Sequence, residues 1–109
     1  MSAKVNITVD QGADFVYNTF LIDSGGNPID LTDFTGRSQF RTSFTSPNYT
    51  NVHVTVGTTD GSVVLSMNAT TTATLTSSRY VYDLELISVD NIVSRVMEGT
   101  VTVNPNVTR

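Results

Sequence analysis

Polar and apolar residues alternate one for one along most of this chain, and no other feature restricts its fold as much. Val5, Ile7 and Val9 flank Asn6 and Thr8, and Val52, Val54 and Val56 repeat the pattern. Val63, Leu65 and Met67 follow, then Tyr80, Tyr82, Leu84 and Leu86 around Val81, Asp83 and Glu85. Successive side chains of an extended strand point to opposite faces, so a period of two marks strands with one face in a core.

The pattern predicts seven strands. The first is Val5 to Val9. The second, Phe15 to Ile22, is a dense β-branched and aromatic run expected to pack on both faces. Asp-Ser-Gly-Gly-Asn-Pro at 23 to 28 must reverse the chain, because its polar side chains bond their own backbone and its glycines permit positive φ. A third strand is expected at about 36 to 44, with Phe40 and Phe44 on the core face and Arg41 and Ser43 toward water. Thr45 to Asn51 reads as an exposed loop, Val52 to Val56 as the fourth strand, and Val63 to Met67 as the fifth. Asn68 can cap a short helical turn near 69–76, which its threonines keep marginal. Arg79 to Ile87 is the sixth strand and Asp90-Asn91 closes a hairpin into the last, Ile92 to Val103. There Glu98-Gly99 suggests a bulge or a close backbone approach. Strands at this spacing, joined by polar turns, predict one all-β domain over residues 1–109, an antiparallel immunoglobulin-like β-sandwich.

Composition narrows the function classes. The chain has 109 residues, no cysteine and a net charge of −4, with six basic residues scattered among ten acidic ones. A nucleic-acid surface needs clustered Lys and Arg, so none is expected. Absent cysteines remove disulfides, thiolate metal sites and cysteine nucleophiles. No apolar run is long enough for a membrane helix or shaped as a secretory signal, so the expectation is a protein that is cytosolic when made and meets no membrane.

No constellation of residues reads as a catalytic site. His53, the only histidine, alternates with valines on a predicted strand and reads as solvent-facing. Asp23, Asn27, Asp30 and Asp33 could surround a hard cation, but turn formation accounts for the same residues. Asp83 and Glu85 could imitate an acid/base pair, yet Arg79 and Arg95 nearby favour cross-strand ion pairing. Tyr80 and Tyr82 with Tyr17 read as core rather than as a stacking platform. The expectation is a non-enzyme with no cofactor and no metal.

Several phrases carry a resemblance. They are Val-Asp-Gln-Gly-Ala-Asp-Phe at 9 to 15, Asp-Ser-Gly-Gly-Asn-Pro-Ile-Asp-Leu-Thr-Asp-Phe-Thr-Gly at 23 to 36, and Arg-Tyr-Val-Tyr-Asp-Leu-Glu-Leu at 79 to 86. The tail Glu-Gly-Thr-Val-Thr-Val-Asn-Pro-Asn-Val-Thr-Arg completes them. Together they resemble small virion structural proteins of tailed bacteriophages, and the order of turn, Ile-Asp-Leu-Thr corner and Phe-containing strand is similar to the N-terminal domain of phage baseplate upper proteins. The resemblance implies a β-sandwich that attaches a component to the particle, in the tail, baseplate or neck, or as a capsid decoration. Its implied partners are other virion structural proteins, in multiple copies per particle. The sequence ends at Arg109 without the coiled coil or receptor-binding head of such proteins, so host recognition is not expected of it. The alternative is a free-standing adhesion or carbohydrate-binding module.

Partner contacts are expected at the first strand, which only Lys4 and Asp10 guard, and at the tail from Asn104. The residues concerned are Lys4, Val5, Ile7, Val9, Asn104, Pro105, Val107 and Arg109, with the tail ordering only when bound.

Overall fold

The computed structural model describes residues 3–76 and 78–105. Its elements are β1 (Ala3–Lys4), β2 (Ile7–Asp10), β3 (Phe15–Phe20), β4 (Thr35–Arg41), β5 (Thr50–Val56), β6 (Ser62–Met67), α1 (Ala69–Thr72), β7 (Arg79–Ile87) and β8 (Val93–Asn104). The chain is all-β, as its alternation requires. The strands form a mixed sheet in the order β1-β8-β7-β4-β5-β6-β3, with β2 also on β8.

The sheet curls at β5. Val52 pairs with Ser38 of β4, whereas His53 to Val56 pair with Ser66 to Val63 of β6, so one strand passes from the first group to the second. Between the groups lies a core in which Phe40, Leu65, Leu84, Val9, Val63 and Val101 are completely or almost completely enclosed. Phe40 is its centre, with Phe15 and Tyr82 edge-on at 6.4 and 6.2 Å and Tyr80 tilted at 6.2 Å. Asn68 caps α1 by accepting from the Thr71 N–H at 2.8 Å. Thr72, fully buried, donates to the Ala13 carbonyl and accepts from the Gly12 N–H, which fastens the helix under the β2–β3 turn.

Three expectations are corrected, and a fourth is borne out in its second alternative. The sheet is not purely antiparallel: β1 and β2 run parallel to β8, because the chain leaving β2 crosses to β3 on the other side of the core instead of pairing beside it. Next, β3 is packed on one face only. Phe15 is buried, but Val16, Phe20 and Ile22 are over 60% exposed, since β3 ends the sheet.

The third predicted strand stops at Arg41, and Phe44 is 78% exposed. Arg41 is the reason. Its guanidinium donates to the Ser46 carbonyl and the Gln39 side chain and lies 4.8 Å over the Tyr49 ring, so it gathers the following loop instead of pointing into water. Finally, the irregularity in β8 falls opposite Leu84 and Glu85, whose partners are Met97 and Arg95, leaving Val96 as the extra residue. Gly99 is the close approach: a Cβ there would stand 2.1 Å from the Val5 carbonyl oxygen.

The 23–28 turn forms as its residues dictate. One carboxylate oxygen of Asp23 accepts from the N–H groups of Gly25 and Asn27, and Gly26 takes φ +81°.

Candidate functional site

Two surfaces collect the predicted partner residues and the paired charges. One is the free side of β1 and β2, built around Gly99. Because that position lacks a side chain, the Val5–Asn6 link lies directly on β8. The Val5 N–H donates to the Glu98 carbonyl at 2.8 Å, and its own carbonyl accepts from the Tyr82 hydroxyl at 2.6 Å. Asn6 accepts from both the N–H and the hydroxyl of Thr100. Burial, with Tyr17 adding, pushes the Tyr82 phenol up to about 12, so this donor keeps its proton at neutral pH.

The predicted partner residues divide sharply here. Lys4 is exposed, Val5 is half-buried, and Ile7 and Val9 are buried in the core, so those two present a partner with backbone alone. Thr8 and Asp10 supply the outward side chains of β2. Asn104 is exposed but already tied within the chain: its amide donates to Asp10 and its carbonyl accepts from Gln11 N–H. The expectation of a tail ordered only when bound therefore fails at Asn104, which is part of β8. Pro105 is exposed, and Val107 and Arg109 lie outside the described residues.

The second surface is the outer face of β4, β7 and β8. A groove of about 330 Å³ runs there among Gln39, Arg41, Val81, Asp83, Arg95 and Glu98, with Phe44 at its rim. Arg37, rather than the expected Arg79, pairs with Glu85 across strands at 2.6 Å, and Arg95 reaches Asp83 across strands at 3.3 Å and Glu98 within β8 at 3.8 Å. Burial raises the Asp83 carboxyl above its ordinary value. Glu85 and Glu98 add to the rise, and Arg95 opposes it.

The sign of the effect follows from linkage. A carboxyl whose folded value is raised contributes stability that is complete below its unfolded value of 3.8 and is lost as pH rises through the folded value. Asp83→Asn, permanently neutral, should therefore gain stability relative to the native chain on going from about pH 3 to about pH 7. Urea midpoints across that range check it. A larger deficit of the variant at neutral pH would mean that the Arg95 attraction outweighs burial.

The remaining sequence candidates do not converge. His53 is exposed on β5. Asp23 closes its own turn, and Asp30 accepts from the hydroxyl and N–H of Thr32, bonds that hold its carboxyl below the usual value. Among the described residues no group of three or more His, Cys, Asp or Glu is placed to hold a metal. Tyr80 and Tyr82 are core, and Tyr17 is half-buried. Sequence reasoning missed the exposure of Phe44, which the early end of β4 brings to the surface, whereas Tyr49 is exposed as its loop predicts.

These features define an all-β domain with a mixed, curled sheet and free edges on β2 and β3. Neither protein-family models nor curated proteins yield a match to the chain.

Proposed function

We propose that this chain is a non-enzymatic structural component of a tailed bacteriophage virion. It is held by its outer strands and ends to neighbouring subunits in the tail, baseplate or neck, or on the capsid as a decoration protein. One observation carries the reading furthest: β2 is paired on one side only and lacks the devices that guard an edge, with a single Asp and no Lys or Pro in the strand. A neighbouring strand added there gains backbone hydrogen bonds while Thr8 and Asp10 set its register. An immunoglobulin-like sandwich belongs to the same reading. It is supported by the grouping β2-β8-β7-β4, with the first strand parallel to the last, against β5-β6-β3.

The test is mass spectrometry of purified particles. The chain is expected at a fixed copy number, and Thr8→Lys is expected to lower incorporation at least tenfold with the fold intact. Absence from particles overturns the proposal. Deleting residues 1–9 is no test, since it would remove Ile7 and Val9 from the core.

A second reading, the adhesion or carbohydrate-binding module, is favoured by the exposed Phe44 beside Gln39, Arg41 and Asp83. An aromatic face next to planar polar groups is the chemistry that holds a sugar. Binding to a glycan array that Phe44→Ala abolishes, together with absence from particles, would establish it instead.

A further inference from the structure

Charge is divided unevenly over this molecule. β4, β7 and β8 carry Arg37, Arg41, Arg79, Asp83, Glu85, Arg95 and Glu98, whereas β3, β5 and β6 contain no Asp, Glu, Lys or Arg at all. On the outer side of these three strands stand Val16, Asn18, Phe20, Val64, Ser66 and His53. The group ends in β3, which pairs only with β6. A groove of about 360 Å³ separates β3 from the start of the chain, so the edge is uncovered.

Backbone geometry says which residues address that edge. One register step past β3, the Leu21 N–H donates to the Gly61 carbonyl, on the β6 side. Alternation then turns the N–H and C=O of Val16, Asn18 and Phe20 away from β6, toward the open side.

We propose that β3 pairs antiparallel with β3 of a second copy of this chain, about a two-fold axis through Asn18. That register sets Val16 against Phe20 of the second copy, and Phe20 against its Val16, on the face where both are over 60% exposed. Asn18 meets its own counterpart, and an amide can both donate to and accept from another. The outward backbone groups of Val16, Asn18 and Phe20 then exchange hydrogen bonds in pairs. A chain of net charge −4 repels its copies, and β3 itself carries no charge, so pairing along it sets no like charges opposite each other within the strand. The patch is self-complementary, as a two-fold interface requires. A strand of about 20 Å forms a contact at the low end of specific interfaces, so the dimer is a weak one, populated at high local concentration. The inference stands without the virion reading, which concerns β2 and the chain ends.

Sedimentation velocity over a wide concentration range tests it. The full chain should pass from monomer to dimer, and Asn18→Lys should raise the dissociation constant at least tenfold, while Thr102→Lys, the same charge change on β8, should leave it unaltered. Both positions are exposed, so both variants should keep the native circular dichroism. Because the chain has no cysteine, Asn18→Cys supplies a single thiol, which a short bifunctional thiol reagent should link into dimers at the concentrations where sedimentation shows the native chain dimeric. A monomer at every concentration, a dimer that Asn18→Lys leaves intact, or a failure of Asn18→Cys to cross-link overturns the proposal. Capture of a foreign strand by a chain that stays monomeric overturns it as well.

Discussion

Phe40→Ala is expected to remove about 3–5 kcal/mol of stability, the range for truncating an enclosed aromatic side chain. Phe40 has no exposed surface and touches the rings of Phe15 on β3 and of Tyr80 and Tyr82 on β7, so its neighbours come from both strand groups. Those neighbours are held by the strand ladders and cannot collapse into the space left, so both the lost burial and the cavity count against the variant. A domain of this size has about 5–15 kcal/mol in total, and the variant should therefore be partly unfolded near physiological temperature. Val89→Ala, at a position 73% exposed, should stay within about 0.5 kcal/mol of the native chain. Equal urea midpoints for the two variants would mean that Phe40 is not at the centre of the core.

Gly99→Ala is the second large effect, and it acts through the backbone. The added methyl would overlap the Val5 carbonyl, whose atoms lie 2.1 and 2.8 Å from the Cβ position. Backbone cannot rotate aside as a side chain can, so the Val5–Asn6 link must lift from β8. The bond from the Tyr82 hydroxyl to Val5 and those from Thr100 to Asn6 are lost with it. Overpacking together with a stranded buried donor should cost about 2–3 kcal/mol. Tyr82→Phe, which removes the hydroxyl alone, should cost about 1 kcal/mol. A Gly99→Ala chain as stable as Tyr82→Phe would show that β8 and the Val5–Asn6 link are not in contact. The same lifting would free β1 and β2, so amide exchange at Ile7 and Val9 should rise in Gly99→Ala and not in Tyr82→Phe.

Strand identity was largely legible because it is a local property. Arg79 to Ile87 could be read residue for residue, since every second side chain there is large and apolar and no turn residue interrupts. Turns were equally plain at 23–28, where Asp23 bonds its own neighbours. The misreadings share a cause: Phe15 to Ile22 is apolar enough for burial on both faces, and Phe44 continues the alternation of Phe40. Their exposure depends on which strand ends the sheet and on where Arg41 finds partners.

The candidate surfaces were less legible for the same reason. Lys4 to Val9 was correctly read as an edge, yet nothing in its alternation tells whether Ile7 and Val9 face a partner or the chain's own core. Likewise Asn104 looked like the start of a loose tail, although its amide meets Asp10, far away in sequence.

What this sequence determined by itself was the strand character and approximate position of most of its segments, and the turn at Asp23. Alternation, φ preference and side-chain chemistry act over a few residues, so all of these could be read along the chain. Only the tertiary structure decided that β2 runs parallel to β8, that β5 serves two partners, that Gly99 seats Val5, and that an uncharged edge is left on β3. Those outcomes depend on which distant segments share the core, and pairing partners of equal alternation are interchangeable until packing selects among them.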